Sequence, residues 1–310
     1  MMNHINEKTI KSVASYRKWV DTIEEALSLK KGPDYHMPTR MHVDFGNDTL
    51  LLMPCIGNNY MATKLVSLFP GNRAKGKSPL QGIVILSKRD TGEPLATLDG
   101  AALTAMRTAA VGGFAVRHLA SPGASTLGVI GMGTQGLHQA MFACSEREIS
   151  TVNIYDNNKE ACESFTRNFS KEYPGIKINI AENNSKLCEE SELIITATNS
   201  TAPVLPDDPG MLKGKTIIGI GSYKKNMREF PDSLYGLCDK IFIDSYDGLK
   251  ESGDLIYPIE KGLKDKNDFI SASELPGKDI DKNETNVFKS VGTALFDLSA
   301  SILVYESMKE

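Results

Sequence analysis

"GVIGMGTQGLHQA", residues 128–140, decides how the chain is read. Gly131, Gly133 and Gly136 stand in GxGxxG register, after an apolar run ending in Ile130 and before a stretch of helical spacing. With 26 glycines in 310 residues the pattern alone is weak, so its surroundings carry the weight. "TVNIYD" (151–156) is a second short strand, and it ends in Asp156, 25 residues past Gly131. The glycines let the backbone close on a pyrophosphate, the helix start offers amide donors, and an aspartate at that strand end accepts hydrogen bonds from a ribose diol. A nicotinamide-type dinucleotide is the expected ligand; the competing reading is a structural glycine turn. Asp156 followed by Asn157 and Asn158, with no arginine nearby, favours NAD(H), with NADP(H) as the second option.

Outward from this stretch the chain divides in two. From residue 124 onward, "STLGVIG", "TVNIYD", "KINIA", "LIITAT", "KTIIGIG" and "KIFID" alternate with helical stretches such as 134–146 and 158–170. That alternation builds βαβ units and a parallel sheet. Upstream, residues 10–29 carry Val13, Tyr16, Val20, Ile23, Ala26 and Leu27 at helical spacing and stop at a turn-rich break, "KKGPDYHMP" (30–38). Residues 40–100 then form short strands joined by Gly-Asn, Pro-Gly-Asn and Asp-Thr-Gly turns, a mostly antiparallel meander, and 101–120 reads as a helix closed by Pro122-Gly123. At the end, "NVFKSVGTALFDLSASILVYESM" (286–308) fits one long helix through Val287, Val291, Ala294, Leu295, Leu298, Ile302 and Val304. The fold class is α/β, with a Rossmann-type domain over 121–285 and an α+β domain over 1–120 that the C-terminal helix 286–310 can join.

Bulk properties narrow the function. At 41% hydrophobic, 24% charged and a net charge of −4, with no block of Lys and Arg, nothing supports nucleic acid or an anionic membrane as partner. Cys55, Cys144, Cys162, Cys188 and Cys238 are widely spaced with no CxxC pair, the usage of reduced thiols in a cytoplasmic protein. No signal-peptide core or membrane-length apolar run is evident. His36, His42, His118 and His138 lack metal-ligand spacing and read as surface or capping residues, so no metal is expected.

Three cations in the first half stand out: Arg40, Lys64 and Arg107, each among apolar or small residues. In "MATKLVSLFPGN" (61–72) strand alternation puts Lys64 on one face with Ala62, Val66 and Leu68. Such a lysine either snorkels or guards a sheet edge, or else aims a functional ammonium into a pocket. Converging, the three cations would clamp a carboxylate; spacing alone does not bring them together.

In their order along the chain, "PTR" (38–40), "TKLVSLFPGN" (63–72), "TGEPLATLDGAALTAMRTAA" (91–110), "IGMGTQGLHQ" (130–139), "YDNN" (155–158), "GSYKKNMRE" (221–229), "ESGDL" (251–255) and "KSVGTALFDL" (289–298) resemble the ornithine cyclodeaminase and μ-crystallin family over almost the whole sequence. The resemblance implies a substrate-binding domain that dimerises through a shared β-barrel, a Rossmann domain, and a C-terminal helix returning to the first. It implies a homodimer, substrate-carboxylate residues Arg40, Lys64 and Arg107, and cofactor residues Gly131, Gly133, Thr134, Gln135 and Asp156. By the same match Thr108, Ser222 and Val291 contact the cofactor.

Departures from the family pattern direct the functional reading. Ornithine cyclodeaminases have a glutamate just before "LMP" and an aspartate in the segment aligned with "GIGSYKKNMRE"; here those positions hold Leu51 and Tyr223, and Asp232 lies beyond a proline. Oxidative deamination of an open-chain amino acid needs a base that this chain does not obviously supply. Reduction of a preformed cyclic 2-imino acid, of the Δ1-pyrroline-2-carboxylate or Δ1-piperideine-2-carboxylate type, needs less: the carboxylate held, the nitrogen protonated by Lys64, and C2 set about 3 to 3.5 Å from the nicotinamide. NAD(P)H-dependent ketimine reduction is therefore the expected activity. The competing readings are an ornithine cyclodeaminase or alanine dehydrogenase-like enzyme, and a non-catalytic cofactor-dependent binder of μ-crystallin type. Asp297 either reaches the active site or pairs with a basic residue, and Met37, Met53 and Tyr223 line either the substrate or the core.

Overall fold

The computed structural model describes residues 3–29 and 35–309. Contacts divide the chain into two compact units, Met1–Thr108 with Gly292–Glu310, and Ala109–Val291. The crossings fall inside a helix and just after a strand, whereas turn signals in the sequence suggest 120 and 286.

The first unit contains β1 (Asn3–Ile5), α1 (Glu7–Ser12), α2 (Tyr16–Leu29), β2 (Met41–Phe45), β3 (Asp48–Ile56), β4 (Tyr60–Leu68), β5 (Leu80–Lys88), β6 (Pro94–Asp99) and the start of α3 (Gly100–Leu119). Its sheet runs β1-β6-β5-β4-β3-β2. The four pairings from β2 to β6 are antiparallel, and β1 adds a parallel edge. Gly46 and Gly92 take φ of +64° and +73° in the turns where Gly-Asn and Asp-Thr-Gly stand, a conformation that costs glycine little.

Alternation sorts this sheet into two unlike faces. Leu51, Met53 and Cys55 on β3, Ala62, Lys64 and Val66 on β4, and Val84 and Leu86 on β5 all point inward and are buried. On the opposite face Met41, Val43 and Phe45 of β2, Leu65 of β4, and Ile83 and Ile85 of β5 are exposed large apolar residues.

The second unit, after the remainder of α3, contains β7 (Thr126–Ile130), α4 (Thr134–Glu146), β8 (Thr151–Tyr155), α5 (Lys159–Glu172), β9 (Lys177–Ile180), α6 (Asn184–Glu189), β10 (Leu193–Thr196), α7 (Pro209–Leu212), β11 (Thr216–Gly219), α8 (Asp232–Tyr235), β12 (Ile241–Ile243), α9 (Gly248–Glu251), α10 (Gly253–Glu260), β13 (Phe269–Ser271) and β14 (Asn286–Lys289). Its eight strands are all parallel in the order β13-β12-β14-β11-β10-β7-β8-β9, the doubly wound arrangement of dinucleotide-binding sheets. Among the described residues no helix is long and apolar enough to cross a membrane.

Two elements differ from expectation. Residues 10–29 are not one helix: α1 ends at Ser12 and α2 restarts at Tyr16, because the Ser15 hydroxyl accepts from the Lys18 amide at 3.3 Å and so opens a new helix. The tail is not one helix over 286–310 either. Asn286–Lys289 is strand β14, buried between β11 and β12, and helix α11 begins only at Ala294 and ends at Ser307. Gly292, at φ +80°, turns the chain, and Thr293 caps the helix by accepting from Leu295 N at 3.2 Å. Part of the expected break at 30–38, residues 30–34, lies outside the described residues.

The C-terminal end of α3 is tied down by Arg147, whose guanidinium donates to the carbonyls of Ser121 (2.9 Å), Arg117 (2.9 Å) and Ala120 (2.8 Å). These bonds satisfy helix-end acceptors that would otherwise lack partners. Arg147→Ala is expected to lower stability by roughly 2 kcal/mol, read as a reduced urea midpoint at unchanged m-value.

Candidate active site

In the first unit, Lys64 stands on the inner, apolar face of the sheet and is 3% exposed. An ammonium there needs an anion, and α11 supplies it: Lys64 Nζ lies 2.7 Å from Asp297 Oδ2. The other oxygen of the same carboxylate, Oδ1, accepts from Arg107 Nε at 3.0 Å. Asp297 is 1% exposed and Arg107 5%, so two buried cations share one buried carboxylate. Arg107 Nη1 has no hydrogen-bond partner among the described residues. Gly292 makes room for that guanidinium, since a Cβ there would lie 2.7 Å from Nη1.

Arg40 joins the electrostatics of the cluster. Burial pushes the Lys64 ammonium down from 10.5 to about 8; Asp297 opposes the shift, while Arg107 and Arg40 add to it. Beside them, burial pushes the Cys55 thiol up to about 12, which keeps it protonated and inert. Met37 accepts hydroxyl hydrogen bonds on its sulfur from Tyr35 (2.9 Å) and Thr293 (2.8 Å). Lys64 and Arg107 thus meet at Asp297, with Arg40 near enough to act on Lys64, and the sequence signal for Asp297 was its place one turn into an apolar helix.

In the second unit the glycine loop has the expected build. Gly131 has φ +99°, and a Cβ on it would press on Ala197 O at 2.6 Å. At Gly136 a Cβ would meet Gly131 O at 1.9 Å, so the helix can approach the strand only with glycine there. Gly133 is different: nothing in the protein lies within 4 Å of where its Cβ would be. No internal packing demands glycine at that position, which leaves open space over the N-terminus of α4, where Gly133 is the N-cap without a side-chain cap. Thr134 is exposed and Gln135 half-buried at the same helix start. A pyrophosphate fits such a cradle of uncapped amides. Asp156 directly follows β8, and its carboxylate accepts from Met132 N at 2.7 Å and Asn158 N at 2.8 Å, which fixes it beside the loop with lone pairs to spare.

The other expected cofactor residues are set by buried anions that were not singled out from sequence. Glu229 accepts from Gly221 N (2.7 Å), Thr198 N (2.7 Å), Thr198 Oγ1 (2.8 Å) and Thr196 Oγ1 (3.0 Å), holding the loops after β10 and β11 together. Ser222, in that loop, spends its hydroxyl on Met227 O (2.7 Å) and Ser252 Oγ (2.9 Å), so its backbone is what it can offer a ligand. Asp244 fixes Val291 by accepting from its amide at 3.1 Å. Thr108 is buried on α3. Asp232 is no spare base: it is engaged by Arg228 at 2.6 Å and by the Tyr257 hydroxyl at 3.1 Å, near the surface. Leu51 is buried in β3, and Tyr223 is partly buried.

The second unit, a parallel doubly wound sheet with a glycine loop at a helix start, has the build of a dinucleotide-dependent enzyme, and the first unit carries a buried cluster of cations. The sequence profile of the Ornithine cyclodeaminase/mu-crystallin family matches residues 2–310, and the chain belongs to that family. It is 35% identical over 286 residues to a Delta(1)-pyrroline-2-carboxylate reductase of Bacillus cereus, covering 88% of this chain and 86% of the relative. Among solved structures, the Thermococcus litoralis Delta(1)-pyrroline-2-carboxylate reductase in complex with NADH and L-proline superposes with a TM-score of 0.92 at 29% identity, covering 99% of this chain and 98% of that one. An archaeal alanine dehydrogenase dimer with bound NAD gives a TM-score of 0.91 at 27% identity, covering 99% and 96%.

The two kinds of glycine are separable by experiment. Gly136→Ala should cost roughly 1–3 kcal/mol of stability through overpacking, seen as a lower Tm. Gly133→Val should change stability by no more than about 1 kcal/mol while weakening NADH binding at least tenfold in a fluorescence titration.

Proposed function

We propose that this NAD(P)-dependent oxidoreductase, acting on C=N bonds, reduces a cyclic 2-imino acid of the Δ1-pyrroline-2-carboxylate or Δ1-piperideine-2-carboxylate type to the L-amino acid. The observation that carries the reading is the unbalanced charge on the inner sheet face: Lys64 and Arg107 have one carboxylate between them, and Arg107 Nη1 is unpartnered. A substrate carboxylate supplies the missing anion, gripped by Arg107 and Arg40 with paired N–H donors. Lys64 is the proton source for the ring nitrogen, since an ammonium held near 8 gives up its proton more readily than an ordinary lysine. The apolar Leu51 and Met53 on the same face suit a ring without a second charge.

Gly131, Gly133, Thr134 and Gln135 hold the dinucleotide phosphates in this reading, Asp156 the adenosine ribose, and Thr108, Ser222 and Val291 contact the remainder. When bound, the dihydronicotinamide supplies a hydride. Asp156, followed by Asn157 and Asn158, repels a 2′-phosphate, so NAD(H) is the favoured cofactor. Release of ammonia from ornithine, the alternative, lacks support because Leu51 and Tyr223 stand where carboxylates are needed and Asp232 is engaged elsewhere. The enzyme is a cytoplasmic homodimer on this reading. The exposed row Met41, Leu65 and Ile83, aligned with Leu52 across four strands, is the apolar surface a second copy would cover.

The purified protein should oxidise NADH with Δ1-pyrroline-2-carboxylate and release no ammonia from L-ornithine with NAD; the reverse pattern sinks the proposal. Lys64→Met should lower turnover at least about 100-fold with NADH affinity unchanged. Because the protonated amine is the active form, kcat/KM should be level below the Lys64 pKa and fall as pH rises through about 8. A profile level to pH 10 would remove Lys64 as the acid.

A further inference from the structure

We propose that Asp297 is the positioning residue of the site: its carboxylate holds Lys64 in the ammonium form and turns Arg107 so that the Nη1 edge of its guanidinium is left for the ligand. This rests on the imine-reductase reading for its catalytic consequence, but the coupling itself stands on geometry alone. Asp297 lies in the first turns of α11, where Thr293 caps the helix, and it is 1% exposed. It spends one oxygen on Lys64 at 2.7 Å and the other on Arg107 Nε at 3.0 Å, so one rigid carboxylate orients both cations. A buried carboxylate gripped from two sides has little freedom to rotate, and its helix is anchored on the same sheet. Arg107 bonded through Nε presents its far edge elsewhere, and that edge is the one with an unpartnered Nη1.

Charged and titratable groups around Asp297 come from few directions. Lys64 faces it from β4, Arg107 from α3 and Cys55 from β3, with Arg40 acting on Lys64. From α2 the buried residues are Trp19, Val20, Thr22, Ile23, Ala26 and Leu27, and from β5 Val84 and Leu86, none of them ionisable. Lys64 therefore has Asp297 as the anion that opposes its desolvation. Without it, burial and the two guanidiniums would act unopposed and the amine would lose its proton at a lower pH.

Asp297→Asn keeps the shape and removes the charge. The expected result is a loss of kcat/KM of at least 30-fold with NADH affinity unchanged, and a basic limb of the pH profile moved down by about one unit or more. A uniform loss at every pH, with the limb unmoved, would overturn the proposal, since a merely structural role lowers active protein without moving the limb. If the variant does not fold, the wild-type protein decides. In labelled, substrate-free enzyme, the Lys64 Nζ resonance should titrate near pH 8, and the Asp297 Cγ resonance should move in step with it as the neighbouring ammonium loses its charge. A flat Cγ through the Lys64 titration would refute the coupling. The same titration separates this proposal from the functional one: a protein inactive on the imine but showing joint titration would retain the Asp297 role and lose the reductase reading.

Discussion

One carboxylate against two buried cations is the constraint on which the first unit turns. Taking Lys64 and Arg107 out of water is costly, and a single Asp297 leaves one positive charge in excess among the three. Such an arrangement is poor design for stability alone; apolar residues of similar volume would often serve as well. It makes sense where the excess charge is matched by a ligand that arrives with its own carboxylate. β3 to β5 give a flat apolar face from which the ammonium projects, α11 brings the aspartate over it, and Gly292 clears space for the guanidinium.

The second unit meets a different constraint, closing the backbone tightly at the start of α4. Gly131 and Gly136 are glycine because of neighbours inside the protein, but Gly133 is glycine where nothing in the protein crowds it. That contrast separates the glycines that packing requires from the one that it does not. Behind it, Glu229 and Asp254 lock the loops after the central strands: Asp254 accepts from the Glu229 and Phe230 amides at 2.8 and 3.0 Å. Its second oxygen is 3.9 Å from the fully buried Lys289, and burial raises the Asp254 carboxyl to about 6 despite that lysine. The folded-state pKa is thus above the unfolded value, so this carboxylate opposes folding increasingly as pH rises from about 4 to about 6, and the loop network compensates through its hydrogen bonds.

Much of this was readable from residues. The strands from β7 to β12 announce themselves as β-branched runs between helices, and the glycine spacing located the tight turn between β7 and α4 with Asp156 beside it. What local pattern could not show was non-local pairing. β1 is three residues long and is a strand because β6 lies beside it. Likewise "NVFK" continues a helical apolar pattern but is taken by the gap between β11 and β12, a tertiary preference that overrides the local one. At the site, Arg40, Lys64 and Arg107 were conspicuous as cations in apolar surroundings, yet what joins Lys64 to Arg107 is a carboxylate 190 positions from Arg107 along the chain. Sequence spacing holds no information about that distance.

The central claim, that the surplus charge at Lys64 and Arg107 is a seat for a substrate carboxylate, is tested most directly by a crystal structure of the protein with NADH and pyrrole-2-carboxylate, a flat ring acid that cannot be reduced. The account predicts the carboxylate on the free edge of Arg107, with the ring nitrogen toward Lys64. A ring acid bound away from both, with Arg107 Nη1 still unpartnered, would contradict it.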